Sequence, residues 1–453
     1  MHIDILGAGL VGSLLGIYLA KKDYQINIYE RRSDFRKIGA ESGRSINLAL
    51  SDRGLRGLGG VGLAEKVQTV GIPMTHRAMH DMKGNITTQP YSQHGHCIYA
   101  VSRAKLNEFL LTEVEKFENV KIHFEQKCTE VNLQNNSIEL QDTSTGEKKT
   151  IKTELLLGSD GAFSALRTAM VKTDLVNYSQ NYLAHGYKEL TIPAKNNTHQ
   201  LTKNALHIWP RNSFMLIALP NLDGSFTCTL FLSFKGEISF ESLQTATEIE
   251  QFFAEFFPDI IPLIPNFVAE FFENPTASLV TVRTNPWVFG NSIALIGDAA
   301  HAIVPFYGQG MNAGFEDCYV LNQLLTEEHG NWANTLQKYQ ENRIPNANAI
   351  AELALMNFVE MRDLVGKPEF LLRKKIEAKL HELYPQKWIP LYTMVTFSAE
   401  IPYGEALRLG KLQDEIMKEV MKNLMQVSNI DHEWQSLDFA KIILDYEKLG
   451  FCS

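Results

Sequence analysis

The stretch from residue 297 to residue 312 combines a carboxylate with glycines, and its composition suits a turn that binds a ligand. The apolar run at residues 292–296 predicts a buried strand, and Gly297 and Asp298 follow it directly. Further along, Gly308 and Gly310 carry no Cβ, so the backbone there can approach a ligand closely. A carboxylate at a strand end, followed by a glycine-bearing loop, is therefore a candidate binding site.

The segment after this loop predicts a helix from about residue 311 to residue 325. The first turn of a helix has N–H groups without intrahelical partners, so Met311 and Asn312 would present an electropositive end to an anion. The alternative is an ordinary strand-to-helix turn without a ligand. A nucleotide site elsewhere in the chain would favour the binding interpretation.

Such a site is predicted at the N-terminus, where Gly7, Gly9 and Gly12 form a GxGxxG pattern. The elements around it are a strand at residues 2–6, a helix at 14–20 and a second strand at 25–29. Glu30 ends the second strand, 18 positions after Gly12. This βαβ unit suits a pyrophosphate at the turn and a ribose on the carboxylate. A glutamate favours an unphosphorylated ribose, as in FAD or NAD; the alternative is a purely structural glycine turn.

A third strand with an acidic end predicts how the domains are arranged. Residues 154–157 form an apolar run that leads to Asp160 and Gly161, in the same manner as the run before Asp298. The two acidic ends flank a strand-rich middle of the chain, so we expect the nucleotide-binding domain to be interrupted. The predicted bounds are 1–70, 96–170 and 286–340 for that domain, 71–95 and 171–285 for an inserted β-sheet domain that binds the substrate, and 341–453 for a C-terminal helical region that closes the active site.

The inserted part contains a strand with clear two-residue alternation. Five apolar residues of the run 226–234 share one face, and the intervening residues are mostly polar. The run suits an antiparallel sheet with one apolar face. That face could form the floor of a substrate pocket or pack on helices, and the sequence does not distinguish these alternatives. Arg77, in a weakly alternating segment at 72–91, would by itself be interpreted as a surface arginine.

Two features of the C-terminal part could contribute to a pocket. Asn357 lies on the apolar face of a helix predicted within residues 344–361, where its amide needs hydrogen-bond partners. A helix–helix contact or a ligand could supply them. Residues 393–403, together with Trp388 and Tyr392, are rich in aromatic side chains and could close a pocket.

The composition restricts the class of protein. The chain has 453 residues and a formal net charge of −9, which argues against a nucleic-acid partner. Its five cysteines are scattered, without metal-type spacing, which predicts no metal site and reduced thiols in the cytoplasm. A signal peptide and an apolar run of about 18 residues are not evident, and the polar tail at 428–453 lacks a hydrophobic anchor. We expect a soluble protein without a membrane partner.

The three nucleotide elements, in this order, resemble the single-component flavoprotein aromatic hydroxylases. Longer blocks, at residues 43–51, 99–103, 305–318, 357–362 and 388–398, resemble a member whose substrate is an amino acid with an aniline-type ring. The resemblance implies an α/β fold with a Rossmann-like FAD-binding domain, an inserted mainly antiparallel sheet and a C-terminal helical region. It also implies bound, non-covalent FAD, with NADPH and O₂ as co-substrates and ring hydroxylation through a flavin C4a-hydroperoxide.

The same resemblance assigns residues to the site. The carboxylate of the substrate would be held by Arg77 and Tyr91, with Asn357 and Tyr403 also in contact, while Phe306 and Pro305 line the ring pocket. Positions matching the FAD site are Gly7, Gly9, Val11, Gly12, Glu30, Arg31, Ala49, Arg103, Cys128, Asp160, Asp298, Met311 and Asn312. The resemblance implies no catalytic side chain, and a structural role is expected for His301. Tyr307 departs from the family pattern, which leaves its role open.

Two alternatives stay open at this stage. One is a hydroxylase or epoxidase of the same fold that acts on another aromatic ring or alkene. The other is a non-enzymatic binding protein with this fold. The oligomeric state is also open, a homodimer being one alternative.

Overall fold

The computed structural model describes residues 1–38, 47–91, 95–364, 367–424 and 434–450. Part of the block at 43–51 and part of the tail at 428–453 therefore lie outside the described residues. The described strands are β1 His2–Leu6, β2 Gln25–Tyr29, β3 Asn47–Leu50, β4 Ile72–Met74, β5 His76–His80, β6 Ile86–Pro90, β7 Ile98–Ser102, β8 Val120–His123, β9 Gln126–Asn132, β10 Ser137–Asp142, β11 Lys148–Lys152, β12 Leu155–Gly158, β13 Asn177–Ile192, β14 Ala205–Arg211, β15 Phe214–Pro220, β16 Phe226–Ser233, β17 Ala277–Asn285, β18 Val288–Phe289 and β19 Ile293–Leu295.

The helices alternate with these strands in the N-terminal part and dominate the C-terminal part. They are α1 Leu10–Ala20, α2 Phe35–Ile38, α3 Asp52–Gly59, α4 Ala64–Thr69, α5 Arg103–Val114, α6 Ala165–Val171, α7 Ala246–Phe256, α8 Phe267–Glu273, α9 Asp298–His301, α10 Gly310–Glu327, α11 Trp332–Val359, α12 Pro368–Leu383, α13 Leu391–Thr396, α14 Tyr403–Leu424 and α15 Phe439–Lys448. A 3₁₀ turn spans Pro305–Tyr307 and a π turn spans Glu360–Leu364.

The first sheet has six strands in the order β18-β19-β12-β1-β2-β8. Its central pairs, β1 with β2 and β1 with β12, are parallel, and β19 is parallel to β12. Strands such as β12 are apolar throughout because helices cover a parallel sheet on both faces. The predicted βαβ unit is confirmed, although α1 begins four residues earlier than expected, at Leu10.

The second sheet has seven strands in the order β17-β13-β16-β15-β14-β5-β6 and is antiparallel except where β14 pairs with β5. The apolar face of β16, with Cys228, Leu230 and Leu232, is buried against the phenylalanine-rich helices α7 and α8. Thr229 and Phe231 point to the opposite face, which lines a cavity. The apolar face therefore packs on helices, and the pocket lies on the other side of the strand.

The C-terminal helices share a hydrophobic core with this second sheet. Phe231 of β16 and Ile208 of β14 belong to the same buried cluster as Leu353 of α11, Trp388 and Tyr403. Two smaller sheets, β3-β7-β4 and β11-β10-β9, complete the fold. The expected α/β architecture with an inserted antiparallel sheet and a C-terminal helical region is confirmed.

Candidate active site

A cavity of about 1200 Å³ extends between the two large sheets. At one end it meets the carboxyl ends of β1, β12 and β19, which is where open parallel sheets bind their ligands. At the other end it meets β5 and the start of α13, so Gly9 and Arg77 line the same continuous space.

The glycines of the β1–α1 turn have two different reasons for being glycine. Gly7 has a φ of +93°, and a Cβ at Gly12 would lie 2.0 Å from the Gly7 carbonyl oxygen, so both are required for packing of the turn. A Cβ built on Gly9 would meet no described atom within 4 Å and would project into the cavity. The turn is thus shaped to admit a ligand next to Gly9.

Glu30 lies at the end of β2 with its carboxylate buried. Oε2 accepts a hydrogen bond from the Ala8 amide at 3.0 Å, and Oε1 accepts one from Nε of Arg32 at 2.8 Å. Burial acts to raise the pKa of Glu30, but the Arg32 guanidinium and these amides hold that pKa below its ordinary value. The carboxylate is therefore ionised and can accept ribose hydroxyls, and Arg31 lines the cavity beside it.

Asp160 and Asp298 stand at the ends of β12 and β19, on the cavity wall. Oδ2 of Asp160 accepts a hydrogen bond from the Ala165 amide at 2.7 Å. Its Oδ1 is buried and has no hydrogen-bond partner among the described residues. Burial raises the pKa of Asp160. A buried acceptor without a partner is costly, so a ligand that donates a hydrogen bond here would remove the penalty.

Ala49, Arg103 and Cys128 line the cavity between these groups. Burial raises the pKa of Cys128 to about 12, so its thiol is neutral and contributes shape rather than charge. Val11 also faces the cavity, and its side chain would lie 3.1 Å from a Cβ at Gly297, which fixes the loop before Asp298.

Helix α10 begins at Gly310, one residue before the predicted start, and Met311 lines the cavity in its first turn. The Asn312 side chain is directed elsewhere. Its Oδ1 accepts from the Ser51 amide at 3.0 Å, and its Nδ2 donates to the carbonyl oxygens of Ala49 and Gly308. Asn312 thus joins β3 to the loop, while Gly310 and Met311 of the first turn of α10 line the cavity.

These residues fit FAD. The open space at Gly9, the ionised carboxylate of Glu30, the unpartnered oxygen of Asp160 and the amide end of α10 are successive features of one cavity wall. They suit a pyrophosphate, a ribose and a polyhydroxyl chain followed by a ring with an anionic edge.

At the other end of the cavity, Arg77 of β5 has no carboxylate partner. None of the ion pairs among the described residues includes Arg77, and its buried Nε has no hydrogen-bond partner there. The guanidinium carbon lies 4.5 Å from the ring centroid of Tyr392 and 5.6 Å from that of Tyr91. A permanently charged guanidinium that lines a cavity and has no ion-paired carboxylate can bind the carboxylate of a ligand.

Three tyrosines form a stack beside this arginine. Tyr392 packs nearly parallel to Tyr91, at 5.4 Å between ring centroids, and to Tyr307, at 5.5 Å. Burial raises the pKa of Tyr91 and the pKa of Tyr307 well above the ordinary value, so both phenols are neutral donors. The buried Tyr91 hydroxyl interacts with Arg77 and Tyr392 and, unlike those two residues, Tyr91 does not line the cavity. Tyr307, whose role the sequence left open, therefore belongs to the wall around Arg77.

Tyr392 is the site residue that sequence reasoning missed, since it was considered only as part of an aromatic segment. It lines the cavity, whereas Tyr403 is fully buried behind the wall and donates from its hydroxyl to Oε1 of Gln309 at 2.9 Å. Pro390 signals the helix start next to Tyr392, but no local pattern shows which tyrosine faces Arg77.

Asn357 also lies outside the cavity wall. Its Nδ2 donates to the Phe306 carbonyl oxygen at 2.7 Å and contacts Sδ of Met361 at 3.3 Å. The amide on the apolar face of α11 is thus satisfied by the loop backbone, which is a contact between elements rather than a direct contact with the cavity.

The part of the cavity around the 3₁₀ turn, called the ring pocket below, is apolar. Phe306 and Pro305, in the 3₁₀ turn, line it, and Phe306 packs on Phe358 at 4.1 Å and on Phe231 at 4.9 Å between ring centroids. Other lining residues here are Tyr187, Leu206, Met215, Ile217, Thr229 and Leu279. Such a pocket excludes water around a flat ring.

His301, for which a structural role is expected, makes its contacts within the FAD-binding part. Its Nε2 lies 2.6 Å from Oδ2 of Asp317, and its ring stacks on Trp287 at 5.0 Å. It is buried beneath the loop and does not line the cavity.

The fold and this cavity define a flavoprotein with the FAD-binding domain of the aromatic-hydroxylase type. The family model described as "FAD binding domain" matches residues 1–354. Relatives match over nearly the whole length: kynurenine 3-monooxygenase of Flavobacterium johnsoniae is 48% identical over 98% of both chains. Those of Dictyostelium discoideum and Sus scrofa are 45% and 42% identical, over 97% and 92% of this chain and 96% and 88% of theirs. The chain belongs to the FAD-binding-domain family and, within it, to the kynurenine 3-monooxygenase family.

Solved structures with the same fold are more distant in sequence. The tetrameric form of 2-methyl-3-hydroxypyridine-5-carboxylic acid oxygenase aligns with a TM-score of 0.66 and 19% identity, over 81% of this chain and 94% of that one. A tetracycline destructase aligns with a TM-score of 0.59 and 19% identity, over 84% and 96%. Within the part of the chain that the structure describes, no helix has the length and apolar character needed to cross a membrane.

Proposed function

We propose that the chain hydroxylates L-kynurenine to 3-hydroxy-L-kynurenine, with bound FAD and with NADPH and O₂ as co-substrates. The observation that carries the proposal is Arg77, which has no ion-paired carboxylate among the described residues and lies at the far end of a cavity whose near end fits FAD. Kynurenine has a carboxylate that can pair with Arg77. Its aniline-type ring fits the apolar pocket between Arg77 and the FAD end of the cavity. The full-length similarity to kynurenine 3-monooxygenases supports this substrate.

FAD, when bound, supplies the acceptance of hydride from NADPH and the activation of O₂. The chain supplies the positions. Residues proposed to hold FAD are Gly7, Gly9, Val11, Gly12, Glu30, Arg31, Ala49, Arg103, Cys128, Asp160, Asp298, Met311 and Asn312. The positive end of α10 at Met311 would stabilise negative charge on a cofactor bound beside it. Asn312 contributes by holding the loop and β3 in register.

The carboxylate of the substrate pairs with Arg77, and the neutral phenol of Tyr91 donates to it. Tyr392 joins this set because it lines the cavity over the Arg77 guanidinium. Asn357 and Tyr403 enter the proposal as residues that position the wall: Asn357 fixes the Phe306 backbone and Tyr403 fixes Gln309. No side chain of the site has to act as a nucleophile.

The ring of the substrate lies against Phe306 and Pro305. The apolar wall excludes water around the position where the oxygen is transferred, which favours hydroxylation over loss of H₂O₂. Kynurenine binding completes this enclosure, so we expect it to accelerate consumption of NADPH.

The proposal is tested by NADPH oxidation with the purified, FAD-loaded chain, with and without kynurenine, and by mass detection of a product heavier by one oxygen. Failure to form that product would exclude the proposed reaction.

In Arg77→Ala we expect the KM for kynurenine to rise at least tenfold, because a hydrogen bond to a charged group contributes about 1.5–3 kcal/mol. Arg283→Ala is the matched control, since Arg283 lies on β17 of the same sheet and does not line the cavity. If Arg77→Ala reduced kynurenine-stimulated NADPH oxidation by less than about twofold, the assignment of Arg77 to the substrate carboxylate would be wrong.

The proposal also covers domains and location. The proposed bounds are 1–70, 96–170 and 286–340 for the FAD-binding domain, 71–95 and 171–285 for the substrate domain and 341–453 for the closing helical region. The membership of strands in the two large sheets supports the division between the first two domains, whereas the bound at 340/341 falls within the continuous helix α11. A cytoplasmic location is supported by the free state of Cys97, Cys128, Cys228 and Cys318.

A further inference from the structure

Residues 391–403, called the closing segment below, are held against the FAD-binding part by one buried arginine. Arg53 of α3 is fully buried, and its guanidinium donates to backbone carbonyl oxygens along this segment. The acceptors are Val395 at 2.8 Å, Met394 at 3.2 Å, Ser398 at 3.3 Å, Ala399 at 3.5 Å and Ile401. Its Nη1 also pairs with Oε1 of Glu316 at 2.8 Å.

These acceptors have a physical reason to attract a cation. Met394 and Val395 lie in the last turn of α13, where carbonyl groups lack intrahelical partners and carry partial negative charge. The planar fork of an arginine can serve several such carbonyls at once. Glu316 pairs with Arg53, and the same carboxylate also pairs with Arg56 and Arg343. The Tyr403 ring, whose centroid lies 3.9 Å from the guanidinium carbon of Arg53, covers the other side.

The segment that Arg53 holds carries Tyr392 two residues before the first of these carbonyls. Tyr392 lies against Arg77 and stacks on Tyr91 and Tyr307. Arg53 is therefore linked to the carboxylate end of the cavity through a short, rigid helix, without lining the cavity itself.

A neighbouring arginine shows that charge alone does not explain Arg53. Arg56, one turn further along α3, donates to the same Oε1 of Glu316 at 2.7 Å, and its guanidinium lies over Tyr319. None of the hydrogen bonds within the described ranges joins Arg56 to the closing segment. The two arginines share an anion, and they differ in that Arg53 holds the backbone that carries Tyr392.

We propose that Arg53 is a positioning residue for recognition of the substrate carboxylate, acting through Tyr392. The proposal rests on the proposed function and specifies which interior contact sets the geometry of its carboxylate end. Lysine retains the charge of Arg53 but has a single ammonium in place of the fork, so it cannot serve Glu316 and the carbonyls together. The closing segment then moves relative to Arg77, while the FAD wall keeps its contacts.

The test compares Arg53→Lys with the matched control Arg56→Lys in the FAD-loaded chain. For Arg53→Lys we expect the KM for kynurenine to rise at least tenfold, with the KM for NADPH and the bound FAD per chain within about twofold of the parent. Arg56→Lys should leave all three within about twofold. Arg53→Gln, which leaves no unpaired buried cation, is made in parallel.

Two further measurements separate positioning from general destabilisation. In a double-mutant cycle, Arg53→Lys should raise the KM for kynurenine less than about threefold when Tyr392→Phe is already present, because the same interaction has been lost. The Kd of the decarboxylated amine of kynurenine, measured by the change in flavin absorbance, should stay within about twofold in Arg53→Lys.

The outcomes distinguish this proposal from the proposed function. If the parent chain does not hydroxylate kynurenine, the proposed function fails first. If the parent is active, two results overturn the positioning role. One is a double variant whose increase in the KM for kynurenine equals the product of the increases in the two single variants. The other is a decarboxylated amine whose binding weakens in Arg53→Lys as much as that of kynurenine. It is also overturned if neither Arg53 variant binds FAD, since Arg53 would then serve the folding of the cofactor site.

Discussion

At the scale of residues, the carboxylate end of the cavity depends on a buried cation without an ion-paired carboxylate. The Nε of Arg77 has no hydrogen-bond partner among the described residues, and the guanidinium lies against the rings of Tyr91 and Tyr392. An unsatisfied buried donor costs on the order of 1–3 kcal/mol, so an anion that reaches Arg77 through the cavity would remove this cost.

Tyr392 and Tyr403 can be separated by removing one oxygen atom from each. Tyr392→Phe should raise the KM for kynurenine about tenfold, because a donor to the carboxylate is lost. Tyr403→Phe should change that KM less than about threefold and lower the free energy of unfolding by about 1 kcal/mol, since it removes a buried bond to Gln309. Steady-state kinetics and urea unfolding of both variants measure this. A larger KM effect in Tyr403→Phe would restore that residue as the direct contact.

The sequence predicts one end of the site much better than the other. Gly9 and Glu30 could be assigned because a turn and two adjacent strands bring them together within 30 residues. Arg77 and Tyr392 are over 300 positions apart and meet only because the C-terminal helices pack on the second sheet. Propensity and periodicity carry no information about such a meeting, so Arg77 and Tyr403 could be assigned only through the resemblance, and Tyr392 was noted only as part of an aromatic segment.

At the level of elements, β5, which carries Arg77, is joined to β14 by a pair of histidines. Three residues further along β5, Nε2 of His80 lies 2.9 Å from Nδ1 of His207 on the parallel strand β14. Nε2 of His207 donates to the Thr202 carbonyl oxygen at 2.9 Å. Neutral His207 therefore accepts the proton of His80, and a second proton on His207 would break the bond between the two strands.

This pair gives the stability a specific pH dependence. Burial lowers the pKa of His207 from 6.5 to about 4, so the unfolded chain binds the proton more readily. The contribution of His207 to the free energy of unfolding is complete above pH 6.5 and is lost as the pH falls toward 4. The loss between pH 7 and pH 5 is about 2 kcal/mol. His207→Gln, which keeps one donor and one acceptor, should lose that part of the dependence. Urea unfolding at both pH values measures the difference, and an unchanged dependence in the variant would contradict the assignment.

At the scale of the whole molecule, the cavity lies where the two large sheets and the C-terminal helices meet. The wall formed by β1, β12 and β19 belongs to one hydrophobic core, and the wall formed by β16 and the 3₁₀ turn at Pro305–Tyr307 belongs to another. A cofactor in this cavity contacts the first and borders the second. We therefore expect FAD to stabilise the fold as well as supply chemistry.

Removal of FAD tests this expectation. The apo chain should regain about 2.7 kcal/mol of unfolding free energy when FAD is restored at a hundred times its Kd. Riboflavin at the same concentration should stabilise far less, because it lacks the pyrophosphate and ribose that the Gly9 and Glu30 end would hold. Urea unfolding midpoints with each compound provide the comparison. Equal stabilisation by both would indicate that the GxGxxG end contributes nothing.

The alternation along β16 has a consequence for how the activity can be altered. Leu230 and Leu232 pack into the phenylalanine-rich core, while Thr229 and Phe231 face the ring pocket. Neighbouring positions on one strand thus serve separate purposes. Substitution at 229 changes the ring pocket at a position outside the two buried clusters on either side of the strand. Substitution at 231 changes the pocket as well, but it also removes packing from the cluster that the second sheet shares with the C-terminal helices. A search for altered substrate range therefore starts at Thr229, and a change at Phe231 has to be compensated in that cluster.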